Sequence, residues 1–241
     1  MGITSSSIDA RSVLSSKNEE MLRRGEASRD QAAAYLVQEY YAPLYRLAVA
    51  MLDDADAGVF TAVETLVHLV MRSNQFHGET SVQEWVFRMG LDQCRSEYRR
   101  LKRLRWWKSA IPFTRKPVDF GISTPETYMD AELWLAFDKT DEPDRSVGIL
   151  HYVLGWEFGE IGAVLNLSEV ETARALKALR RRFQAVLEPF ALGEDALLPD
   201  PFDERLRDSF QRRWPAINPS ETDIGEIRAI VMQQVGHRSQ S

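Results

Sequence analysis

Apolar residues along this chain return every three or four positions, the period of one face of an α-helix. Leu36, Tyr40, Leu44, Leu47 and Met51 form a first stripe, opened by Ser28-Arg29-Asp30, where Ser suits a helix N-cap. Asp53-Asp54-Ala55-Asp56 breaks it, and Val59, Val63, Leu66, Val67 and Val70 form a second. A loop at 74–79 holds Phe76 and Gly78. Thr80 or Ser81 then caps a third helix running towards Arg105, with Val82, Trp85, Val86 and Met89 on its apolar side. From Trp106 to Thr124 the period is lost and Pro112, Pro117 and Gly121 punctuate the chain. Helices resume over 127–139 and 143–154. No stretch alternates as a strand does, and no segment repeats. The pattern predicts an all-α protein: three helices, a linker, four helices and a helical tail.

Gly155 to Phe183 carries the sharpest local signal. Phe158, Ile161, Gly162 and Leu165 share one helical face, and Asn166-Leu167-Ser168 follows. Asn tolerates the left-handed backbone that ends helices, and Ser168 with Glu171 fits a capping box. The next helix sets Leu176, Leu179 and Phe183 on one side and Arg174, Lys177, Arg180, Arg181 and Arg182 largely on the other. A short helix, a tight turn and a basic helix form a helix-turn-helix, which presents its second helix to the major groove. An ordinary helical hairpin with a solvated basic face satisfies the same pattern.

Charge adds a second such face. The formal net charge is −6, which argues against a generally sticky nucleic-acid protein. Yet Tyr98 to Lys116 holds eight Lys/Arg and no Asp or Glu. Segregated charge implies basic faces on an acidic protein. Cys94 is the sole cysteine, so an intrachain disulfide is impossible, and its mid-helix position suits a small core residue. His68, His77, His151 and His237 are scattered, without the spacing of a metal site, and no Gly-rich phosphate loop exists. The expectation is a cytoplasmic protein without cofactor, metal or catalytic residue and without membrane insertion; no apolar run approaches the roughly 20 residues of a membrane span.

With these elements in order, the chain resembles the extracytoplasmic-function class of bacterial RNA polymerase sigma factors. YYAPLYRLAVAML (40–52), NQFHGETSVQEWVFRM (74–89) and YRRLKR (98–103) are similar to that family's region two. RSVGILHYVLGWEFGEIGAVLNLSEVETARALKALRR (145–181) resembles its region four. The resemblance implies a region-two-like domain over 28–108, a linker over 109–126 and a region-four-like helix-turn-helix domain over 127–192. Before them lies a mobile segment, 1–27, with a short helix near 17–25. It further implies a transcription initiation factor whose partners are core RNA polymerase, promoter DNA and an anti-sigma protein. Asn74, Phe76, His77, Arg95, Arg99, Arg100, Lys102 and Arg103 would meet the downstream promoter element, with unpaired bases stacking on aromatic rings. Ser168, Thr172, Arg174, Lys177 and Arg181 would meet the upstream element. Phe60, Val63 and Glu64 would face the polymerase. Phe60 and Val63 replace polar residues of the family pattern there, which leaves a second reading open: a sigma-like regulator or interaction protein that no longer docks on polymerase. For Phe76, Trp85 and Tyr98, a plain core role is the competing reading.

The extension at 193–241 lies outside the family pattern. Phe202, Leu206, Phe210 and Trp214 make one stripe, and Ile224, Ile227, Ile230, Val231 and Val235 another, on helices expected near 202–214 and 220–236. Stripes this apolar need a partner surface. The tail either packs on the DNA-binding domains and restrains them, receives a regulator, or simply caps the second domain.

Overall fold

Helices are the only regular structure among the residues described by the computed structural model, 16–109, 128–187 and 201–240. Residues 1–15, 110–127 and 188–200 and the side chains of Trp106 and Trp107 lie outside them. Helix α1 is described over 16–23, and its Leu22 is fully buried. Then come α2 (Arg29–Leu52), α3 (Ala55–Met71), a 3-10 turn (Ser73–Gln75) and α4 (Val82–Ser109). The second group is α5 (Tyr128–Asp138), α6 (Asp144–Gly148) running into a π turn (Ile149–Val153), α7 (Phe158–Leu165) and α8 (Glu169–Leu187). The tail forms α9 (Pro201–Arg213) and α10 (Glu221–Arg238).

Capping chemistry fixes the starts. Ser28 accepts from the Gln31 amide while the Gln31 side chain accepts from the Ser28 amide. Asp54 accepts from the Ala57 amide at 2.9 Å, and Ser81, rather than Thr80, accepts from the Glu84 amide at 3.0 Å. Each satisfies one of the unpaired donors of a first helical turn. Leu36, Leu44, Leu47, Met51, Leu66, Leu69 and Leu91 then meet in the core of α2, α3 and α4. Cys94 joins this core, and burial pushes its thiol up, so it stays protonated. Val59, in the first turns of α3, departs from the expected stripe and is exposed.

The two helical groups are in contact. Phe87 of α4 meets Trp156 edge-on at 4.5 Å, and Arg88 donates to the Ala163 carbonyl at 2.7 Å. Arg145 is buried at the seam, 4.5 Å over the Phe137 ring and 5.5 Å over Tyr98. It donates to the carbonyls of Phe137 (3.1 Å) and Met51 (3.3 Å). Met51 lies in the last turn of α2, where the helix dipole favours a cation.

Candidate nucleic-acid and partner interfaces

Helices α7 and α8 are joined by the tight turn that the sequence suggests. Asn166 takes φ 56°, ψ 46°, and its amide donates to the Gly162 carbonyl. Ser168 then starts α8: its oxygen accepts from the Glu171 amide at 3.2 Å, and Glu171 Oε2 accepts from the Ser168 amide at 2.8 Å. The turn is tight because position 162 has no side chain: a Cβ there would lie 2.5 Å from the Leu167 carbonyl oxygen. Leu176, Leu179 and Phe183 are buried beneath α8.

The basic residues of α8 divide into two groups. Arg180 pairs with Asp203 at 2.9 Å, and Arg182 donates to the Lys139 carbonyl at 3.2 Å. These two serve the fold. Arg174, Lys177 and Arg181 are exposed, and their spacing of three and four puts them in one row along the outer face of α8. Two sequence expectations need correction. Thr172 is fully buried and its hydroxyl donates to the Ser168 carbonyl at 3.0 Å, so it is a scaffold residue. Ser168 is exposed, but its hydroxyl donates to Glu171 at 2.7 Å. That carboxylate, held below its usual range mainly by the Ser168 hydroxyl, already occupies the anion-favouring N-terminus of α8.

The end of α4 makes the second basic surface. Arg99, Lys102 and Arg103 are exposed and, with Ser96, line a shallow open concavity. Lys102 stands 5.9 Å over the Tyr98 ring. Arg95 and Arg100 are partly engaged: Arg95 pairs with Glu142 at 3.3 Å and Asp92 at 3.7 Å, and Arg100 grips Glu97 with Nε and Nη2. In the preceding loop Asn74 and His77 are exposed, and the His77 amide donates to Glu79 at 3.2 Å. Phe76 is not a surface ring. It is 3% exposed and stacks on Trp85 at 4.7 Å, 18° from parallel. Its apolar face is covered by core, so in this conformation it offers no platform to a base.

The expected partner face on α3 is also altered. Phe60 is exposed, at 55%. Val63 is buried and belongs to the core, which corrects its expected surface role. Glu64, one turn beyond Phe60, is gripped by Arg238 of α10 at 2.7 and 2.8 Å. The same guanidinium donates to His68 Nε2 at 3.1 Å, and Gln93 of α4 contacts His68 Nδ1. Arginine has no acceptor, so Nε2 accepts from Arg238. Burial, and then Arg238, lower the His68 pKa against the opposing pull of Glu64.

Sequence spacing did not point to the residues that tie the tail down. Asp130 of α5 is buried and accepts from Ser209 at 2.8 Å and Arg212 at 3.4 Å. Arg46 of α2 donates to the Trp214 carbonyl at 2.8 Å and to Gln211. Their partners lie 79 to 168 residues away, beyond any helical period.

No helix among the described residues is long and apolar enough to cross a membrane. No family model matches the chain, and no curated protein matches it. Among solved structures, the chain is similar to the sigma factor RpoE of Bartonella quintana, crystallised with the anti-sigma factor NepR. The identity is 16%, the TM-score 0.45, and the match covers 61% of this chain and 92% of that one. A likeness at that level carries no weight for function or partners.

Proposed function

We propose that this chain is a sigma-factor-like transcription initiation factor that grips promoter DNA at two points and works without covalent chemistry. The observation that carries the reading is the exposed row Arg174, Lys177 and Arg181 on the second helix of a tightly closed helix-turn-helix. That row suits phosphate and base-edge contacts in a major groove. Arg99, Lys102 and Arg103 at the end of α4 supply the second grip, whose affinity comes from neutralised phosphates and released counterions. Further support comes from the order of the family-like segments along the sequence. Core RNA polymerase is the proposed protein partner, an anti-sigma protein a proposed regulator, and the cytoplasm the proposed compartment. Phe76 enters base capture only if the Phe76–Trp85 stack opens.

The test is run-off transcription with core polymerase on a library of promoter fragments. Promoter-specific transcripts dependent on this chain support the reading, and Arg174→Ala with Lys177→Ala abolishes them. DNA binding without transcripts at any fragment contradicts it. That outcome supports the second reading, a regulator that does not engage polymerase. One observation favours that alternative: in this structure Val63 is buried and Glu64 is taken by Arg238.

A further inference from the structure

The tail does not lie idle on the surface. Helix α10 packs across α2 and α3, over the face that carries Phe60, Glu64 and His68. We infer that this face is a helix-docking site which α10 fills in cis, and that an α-helix of core RNA polymerase must displace α10 to dock there. The inference rests on the polymerase reading above.

The seat of α10 is built to hold and to let go. Only Val231 and Val235 of its 18 residues are buried; Ile224, Ile227 and Met232 are half-covered and Ile230 is exposed. Other attachments are ionic or polar: Arg238 to the largely buried Glu64 and to His68, and, open to water, Arg228 to Asp30 at 3.5 Å and Arg29 to Ser239 at 2.9 Å. An exposed pair such as Arg228–Asp30 is weak and screened by salt. Gln234 Oε1 is buried without a hydrogen-bond partner, a desolvation cost borne by the seated state. The connection from α9, Pro215 to Ser220, has no helix, and Ile217 is its one side chain packed against the core.

The uncovered part of the face identifies what replaces α10. Phe60 stands one turn before Glu64 on the same side of α3 and is 55% exposed. An incoming amphipathic helix can therefore place an apolar side chain on Phe60 while α10 is still seated. A guanidinium on that helix then takes Glu64 from Arg238. The acidic Glu64 and apolar Phe60 select a basic, amphipathic partner helix.

The experiment uses the full chain and two variants, Val231→Asp/Val235→Asp and Arg238→Ala. Hydrogen exchange is followed along the chain while core polymerase is titrated. The expected result has three parts. Exchange over 221–238 quickens in both variants while α2 to α8 stay protected. Polymerase affinity rises about tenfold in the double variant, and less in Arg238→Ala. In the wild-type complex, 221–238 loses its protection. The inference is overturned if polymerase binds all three proteins equally and 221–238 stays protected in the complex. If none of the three binds polymerase although α10 is free in the double variant, the polymerase reading itself fails. The Arg238→Ala variant, which alters only a half-exposed pair, keeps the test valid should the double variant unfold.

Discussion

The two helices of the tail are joined by a few residues and behave as opposites. Helix α9 is driven into the protein. Phe210 is fully buried among Trp134 (5.2 Å), Phe137 (5.1 Å), Tyr152 (5.2 Å) and Trp214 (5.6 Å). Gln211 donates to the carbonyls of Tyr152 and Val153 at 2.7 and 3.1 Å, groups at the end of the π turn that need outside donors. Arg213 grips Asp53 at the end of α2 and lies 5.1 Å over Trp134. Helix α9 thus joins α2, α5, the π turn and α8. Helix α10 has two buried valines, the exposed pair Arg228–Asp30 and the half-buried pair Arg238–Glu64. Both helices carry an orphaned buried polar atom, Trp214 Nε1 in the segment ending α9 and Gln234 Oε1 in α10. The aromatic cluster outweighs the defect in α9; α10 has little to set against its own. The lesson is that an amphipathic stripe in the sequence does not say how firmly a helix is held.

The largest effect belongs to the cluster. Phe210→Ala is expected to cost about 3–5 kcal/mol of global stability, read as a lower urea midpoint for the whole chain. A loss confined to the tail would break the contrast, because α9 would then be as separable as α10. Arg213→Ala follows, at about 1.5–3 kcal/mol in the same assay, since it strips the charge-assisted hydrogen bonds from Asp53.

Acid should act on α10 and spare α9. Burial, and then Arg238 of the seated helix, lower the His68 pKa from its usual value of 6.5. A group whose folded pKa is lowered in this way stabilises the protein above its unfolded pKa. That contribution is lost as pH falls through the folded value. Protonation also sets an Nε2–H against the Arg238 guanidinium, with Arg72 adding repulsion and Glu64 opposing it. Lowering pH from about 7.5 to about 5.5 is expected to quicken exchange over 221–238, after correction for intrinsic rates, and to leave 201–213 unchanged. His68→Gln removes the difference. The smallest effect is that of Arg238→Ala, about 0–1 kcal/mol by urea and visible chiefly as local exchange in α10.

Much of this fold is legible in the sequence because helical period and caps are local. Ser28, Asp54, Ser81, Asn166 and Ser168 announce helix ends within four residues of the groups they satisfy. The outward row on α8 is equally legible, since Leu176, Leu179 and Phe183 fix which side faces in. What escaped is long-range. That Arg180 and Arg182 would be consumed by Asp203 and the Lys139 carbonyl depends on where α9 and α5 come to lie. That Phe76 would pack on Trp85 was open, since an aromatic ring in a loop suits either a core or a base. The covering of Glu64 by a residue 174 positions later follows only from the docked tail.

The most direct measurement is native-state hydrogen exchange of the isolated full chain, comparing 201–213 with 221–238. The expected result is that α9 exchanges only through global unfolding. Helix α10 should open on its own, at a free energy lower by several kcal/mol, roughly the gap between core and peripheral segments. Equal protection in the two helices would contradict a tail made of one fixed and one releasable half.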